Sequence, residues 1–181
     1  MPALRIRVEG ITERETRLLA EESLENYPVL LALSKARESE FIAPIKIEIT
    51  AFREYDHIRV NGQVETEVRL TCSRCLVEYE TALSSSFTLF YNKGSAVPLD
   101  VELELAGDEL DSASYDGDYI DFTAEITEHV LMEIPLKPLC KEDCLGLCSN
   151  CGADLNSDDC SCNRNGTGLK FSALRNFKVI K

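Results

Sequence analysis

Six of the chain's eight cysteines fall between residues 140 and 162, in CKEDCLGLCSNCGADLNSDDCSC, and the other two, Cys72 and Cys75, stand in TCSRCL. No other feature limits the fold as tightly. The 140–162 segment has few large apolar residues, mainly Leu145, Leu147 and Leu155, so it has little to bury. Its cysteines must bind a metal, form disulfides or run thiol chemistry, and without metal the segment is expected to be disordered. The N-terminus MPALRIRVEG lacks the apolar run of a signal peptide. No window approaches the ~20 apolar residues of a membrane helix. The expected compartment is cytoplasmic, where thiols stay reduced and disulfides are disfavoured. A catalytic dithiol fits poorly, because CSRC lies between two strand-like runs and not at the start of a helix after a strand.

Metal therefore leads. Zinc takes four ligands in a tetrahedron, and thiolates suit it. Two thiolates two residues apart on a tight turn grip one ion from one side. Cys148-Ser149-Asn150-Cys151-Gly152 has this form, and the Gly can adopt positive φ at no steric cost. Cys72-Ser73-Arg74-Cys75 has the same spacing, with Leu76 in place of the Gly. Cys160 and Cys162 form a CxC pair; Cys140 and Cys144, four apart, would share a face if that segment is a helical turn. Eight thiols divide into two structural Zn2+ sites. One grouping is local: Cys72, Cys75, Cys140 and Cys144 against Cys148, Cys151, Cys160 and Cys162. The rival pairs Cys72 and Cys75 with Cys148 and Cys151. Spacing allows both, and loop-closure entropy favours the local one.

The rest of the chain reads as an ordinary folded domain. It is 44% hydrophobic and 28% charged over 181 residues, enough for one core. Leu4–Val8 alternates like a strand. Thr12 and Glu15 have capping-box spacing and predict a helix over 13–26; Val29–Glu38 is ambiguous and could be a second. Ile45, Ile47 and Ile49 begin a strand. Asn61-Gly62 predicts a two-residue hairpin turn. A strand then runs into CSRC and returns through Val77, Tyr79, Phe87, Leu89 and Tyr91. Asp121 is placed to cap a helix over 122–134.

The expected fold is α+β: an antiparallel β-sheet meander with helices packed on one face and a cysteine-rich zinc-knuckle segment. It divides into a core domain at 1–137, with an acidic loop at about 93–118, a metal-binding segment at 138–166, and a basic amphipathic tail at 167–181.

The formal net charge is −13, and residues 94–136 hold twelve Asp or Glu with no Lys or Arg. Duplex-binding proteins are usually basic, so bulk charge argues against wrapping nucleic acid. The last twelve residues, KFSALRNFKVIK, carry four positive charges and no acid. Neither histidine, His57 or His129, neighbours a nucleophile in sequence. Phosphate-binding, nucleophile-elbow and metalloprotease motifs are missing from the sequence. A closed four-thiolate site leaves no position for water. The reading is not an enzyme.

The order CSRCL, DFTAEITEHVLMEIPLKPLC, CLGLCSNCGADLN, CSC and FSALRNF resembles the YceD-like family, bacterial and plastid proteins associated with accumulation or processing of large-subunit ribosomal RNA. The resemblance runs from about residue 45 to the end, and more loosely over the N-terminus. It implies a non-catalytic factor in large-subunit ribosome biogenesis, supporting 23S rRNA through a precursor RNA, a basic ribosomal protein, or both. Arg74 in the cysteine turn, and Lys170, Arg175, Lys178 and Lys181 in the tail, are the candidate RNA or partner contacts, with Phe171 or Phe177 available to stack. The alternative is a zinc-thiolate redox or metal-responsive regulator.

Overall fold

A computed structural model of the chain describes residues 4–36, 39–94 and 112–162. The tail residues Lys170, Arg175, Lys178 and Lys181, and most of the acidic loop, lie outside these. The elements are β1 (Arg5–Arg7), β2 (Thr16–Glu22), α1 (Pro28–Lys35), β3 (Glu40–Phe41), β4 (Ile45–Glu54), β5 (His57–Thr71), β6 (Glu78–Lys93), β7 (Ser112–Tyr115), β8 (Tyr119–Asp121) and α2 (Thr123–Glu133). The architecture is mixed α+β with a mostly antiparallel sheet.

The main sheet runs β2-β4-β5-β6-β7, with β3 also paired to β5. All its neighbours are antiparallel except β6 and β7, which run parallel. The β5–β6 ribbon dominates it. Register holds from His57↔Asn92 to Thr71↔Glu78 without a bulge. One face is apolar because the strands alternate: Ile45, Ile47 and Ile49 on β4, and Ile58, Val60, Val64 and Val68 on β5, are buried. Each such side chain contributes about 1.5–3 kcal/mol relative to exposure. Leu30 of α1 and Ile126 and Val130 of α2 close the core from that side. The opposite face is polar, with Gln63, Glu65 and Ser86 exposed.

Two expectations are corrected. The predicted helix over 13–26 is instead the edge strand β2, followed by a short 3-10 turn, Leu24–Asn26. Its partner decides this: Thr16 to Glu22 pairs residue by residue with Ala51 to Ile45, and tertiary pairing overrides a weak helical propensity. Thr12 closes a local turn by accepting from the Arg14 N–H at 3.2 Å. Asn61-Gly62 is not a turn but the middle of β5. The hairpin turns at Tyr55-Asp56, with Tyr55 at φ +45°. Gly62 is required for another reason. The Phe87 ring lies on it, and a Cβ there would sit 2.1 Å from the ring. Phe87 in turn stacks on His129 of α2 at 4.2 Å between centroids. β1 pairs with β8 in a separate two-stranded sheet. The segment carrying Cys140 and Cys144 forms turns.

The ambiguous stretch after Asn26 is helical, with Pro28 at its first turn. α2 lies where the 122–134 pattern put it. The Asp121 carboxylate accepts from the Thr123 backbone N–H at 3.0 Å and its hydroxyl at 2.6 Å. No helix among the described residues is long and apolar enough to cross a membrane.

Gly62→Ala should destabilise the fold by about 1–3 kcal/mol through overpacking against Phe87. Urea unfolding followed by circular dichroism measures this, and adding Phe87→Leu should recover part of the loss.

Candidate metal centre

The turn between β5 and β6 carries Cys72 and Cys75. Backbone bonds shape it: the Leu76 N–H donates to Cys72 O at 3.0 Å, and the Cys72 N–H donates to Val77 O at 2.9 Å. The Cys148 turn repeats this pattern. The Gly152 N–H donates to Cys148 O, and the Cys148 N–H donates to Ala153 O, both at 2.8 Å. Gly152 takes φ +75° and Leu76 takes φ +61° in the equivalent place. The two CxxC turns share one backbone design, although only one has the glycine that makes it free of strain.

The chain after α2 folds back over the β5–β6 tip. The Ser73 N–H donates to Pro138 O at 2.8 Å, and the Leu147 N–H donates to Arg74 O at 3.2 Å. Gly146, at φ +74°, lets the backbones meet; a Cβ there would lie 3.0 Å from Arg74 O. Arg74 is exposed as a residue, and its Nη1 donates to Cys144 O at 2.7 Å. It clasps the two arms of the site.

These contacts bring the sulfurs together. Cys72, Cys75, Cys140 and Cys144 form one quartet, Cys148, Cys151, Cys160 and Cys162 another; within each, all Sγ atoms lie within 4.8 Å of one another. Sulfur separations are 3.8 Å for Cys72–Cys144 and 3.6 Å for Cys75–Cys140. In the second quartet they are 3.5 Å for Cys151–Cys160 and 3.3 Å for Cys148–Cys160. A disulfide needs about 2.05 Å, and all eight are free thiols. Four sulfurs placed tetrahedrally around zinc at ~2.3 Å lie about 3.8 Å apart. The donor sets fit, and each quartet could hold one ion.

The quartets differ in exposure. Cys72, Cys75 and Cys144 are buried, packed with Tyr79, Leu139 and Leu147. In the second, Cys148 alone is buried and Cys151 is exposed.

Electrostatics within each quartet favour a cation. Burial opposes ionisation of Cys72, but N–H groups of Cys140, Cys75 and Arg74 outweigh it and hold its pKa at about 6. Burial, then the neighbouring Cys75 and Cys144 thiols, push Cys140 up to about 12. N–H groups of Cys151 and Asn150 bring Cys148 down to about 6. Hydrogen bonding with the Cys160 and Cys151 thiols pushes Cys162 up to about 12. One thiolate in each cluster thus discourages the next, and a divalent ion among the sulfurs reverses that repulsion.

The histidines sit elsewhere. His57 lies between Glu54, 3.2 Å from Nε2, and Asp56, 3.1 Å from Nδ1. His129 is stacked on Phe87, with Nδ1 3.5 Å from Ser85 Oγ. Sequence reasoning missed Gly146 and Asn156. The Asn156 amide touches both Leu145 and Cys144. Its only sequence signal is its place in GADLN, just past the second CxxC.

The chain is 26% identical over 156 residues to the chloroplastic large ribosomal RNA subunit accumulation protein YCED homolog 1 of Arabidopsis thaliana, covering 75% of this chain and 49% of that protein. It is 28% identical over 153 residues to the Zea mays homolog, covering 70% and 51%. It is 29% identical over 117 residues to an uncharacterized protein of Mycobacterium leprae, covering 64% and 51%. The chain spans about half the length of these curated relatives. No solved structure matches it. The family described as large ribosomal RNA subunit accumulation protein YceD matches residues 60–178, which include all eight cysteines, and the chain belongs to that family.

Proposed function

We propose that this protein is a non-catalytic factor in large-subunit ribosome biogenesis, supporting 23S rRNA accumulation or processing, with two zinc ions holding its cysteine-rich segment in shape. The observation that carries the zinc reading is the convergence of eight free thiols into two quartets whose sulfurs lie within 4.8 Å of one another. The relatives' names carry the ribosomal part. Structural zinc supplies about 10 kcal/mol or more to small modules, more than the sparse apolar residues of 140–162 can. In this reading 138–166 is a metal-bearing lobe on the core domain at 1–137.

Charge favours a basic ribosomal protein over direct grip on RNA. Between residues 140 and 162 there are five acids, Glu142, Asp143, Asp154, Asp158 and Asp159, against one base, Lys141, and a four-thiolate zinc adds two further negative charges. Arg74 already donates to Cys144 O, so its first role is to join the arms of the site. RNA contact through Lys170, Arg175, Lys178 and Lys181 is the route left for direct binding.

Exposed Cys151, 3.5 Å from Cys160, favours a second reading: a sensor in which a peroxide oxidises that pair to a disulfide and frees the ion. Cys160→Ser with Cys162→Ser separates the two. Lost stability alone marks scaffolding, whereas a lost peroxide response with the fold intact marks sensing.

Elemental analysis of anaerobically purified protein should find two zinc ions per chain. Chelation should abolish protease resistance of 138–162 while leaving the sheet folded. Cys72→Ser should cost more stability than Cys162→Ser, because its quartet is the buried one; thermal unfolding of the zinc-loaded proteins checks the order.

Epitope-tagged protein should co-sediment with large-subunit precursor particles. Retention after RNase treatment with an isolated ribosomal protein marks protein-mediated docking; release marks RNA. Absence from precursor particles under both conditions would count against the ribosomal reading.

A further inference from the structure

Asn156 lies between Cys151 and Cys160, inside the loop that the second quartet closes. Its side chain is used by the other quartet. Oδ1 accepts the Leu145 N–H at 2.9 Å, and Nδ2 donates to Cys144 Sγ at 3.4 Å and to Asp154 Oδ1 at 2.7 Å. Chemistry fixes the amide's orientation. A backbone N–H can only donate and a carboxylate can only accept, so the oxygen must face Leu145 and the nitrogen Asp154. The remaining amide hydrogen is then directed at sulfur. Asp154 Oδ1 also accepts the Asn156 backbone N–H at 3.0 Å. The Leu155 N–H donates to Gly146 O at 2.9 Å, and Leu147 bridges Asp154. The second loop is therefore laid on the backbone that carries Cys144.

We propose that Asn156 is a positioning residue that couples the two quartets, so that metal at one strengthens metal at the other. This rests on the zinc reading above. The physical basis is an N–H···S bond made by one loop to a ligand of the other site. Such a bond stabilises the thiolate form and orients its lone pairs. The loop that carries Asn156 is already tied to residues 145–147 by hydrogen bonds, and a metal ion on Cys148, Cys151, Cys160 and Cys162 would hold it closed and the amide in place. Linkage makes the effect reciprocal: the ion on the first quartet, by fixing Cys144, favours closure of the second loop by the same factor.

Cadmium NMR tests this on the full chain, since each four-thiolate site gives its own resonance. Cys160→Ser with Cys162→Ser assigns the second site by its loss. Chelator competition then reads the affinity of the first site in the parent, in Asn156→Ala, in the double serine variant and in their combination. The parent should bind two ions. Asn156→Ala should keep both resonances but lose about 10–100-fold in first-site affinity, the usual cost of removing a ligand's outer partner. The double serine variant should show a similar first-site loss, and the combination should lose no more than either alone. Three results overturn the coupling: unchanged first-site affinity in Asn156→Ala, losses that multiply in the combination, or complete loss of the first resonance in Asn156→Ala while the double serine variant keeps it. A parent that binds no cadmium at either quartet defeats the metal reading itself, a separate and visible outcome.

Discussion

The β5–β6 ribbon is the element that every other part of this protein is built against. Its unbroken register from His57↔Asn92 to Thr71↔Glu78 sends alternate side chains to one face, where α1 and α2 cover them. The same register delivers Cys72 and Cys75 to the tip, with their sulfurs turned towards the returning chain. A slip of one residue would exchange the two faces of the strand. It would turn Val60, Val64 and Val68 to solvent and move the cysteine turn out of line with Cys140 and Cys144. Gly62 and Phe87, facing each other across the ribbon, help pin that register from inside the core.

The cysteine-rich segment has a different logic. It uses backbone hydrogen bonds and sulfur in place of apolar burial. The two CxxC turns have matched bonds to the first cysteine's N–H and C=O. One is the tip of the β5–β6 ribbon and meets the returning chain through Ser73, Arg74 and Gly146, while the other lies within the segment and is more exposed. The same local design in two environments yields one enclosed quartet and one open quartet. Arg74 and Asn156 supply the polar links that a hydrophobic interface would otherwise provide.

Much of the sheet was legible in the sequence, because period-two patterning is strong where one face is fully buried. Ile45, Ile47 and Ile49 show it without interruption. β2 was not legible. Thr16–Glu22 is a half-buried edge strand, and Leu18-Leu19 breaks its alternation, so an apparent capping box prevailed over a weak pattern. Asn61-Gly62 misled because its turn chemistry is local, whereas the reason for Gly62 is a ring from the neighbouring strand. The two cysteine groups that loop length favoured are the ones the fold brings together. The reach of Asn156 to Cys144 depends on how the segment folds back, which no spacing rule encodes.

The ribbon also sets a distance. At about 3.3 Å per residue its ends stand roughly 45 Å apart. Cys72 and Cys75 occupy one end. At the other, β6 runs parallel to β7, with Lys93 opposite Tyr115, and the turn that carries Tyr55 and Asp56 closes the β4–β5 hairpin. Screening in physiological salt decays over about 8 Å. The two poles are thus electrically insulated from each other: charge gathered or neutralised at the His57 end leaves the ionisation of the thiols at the far end unaltered.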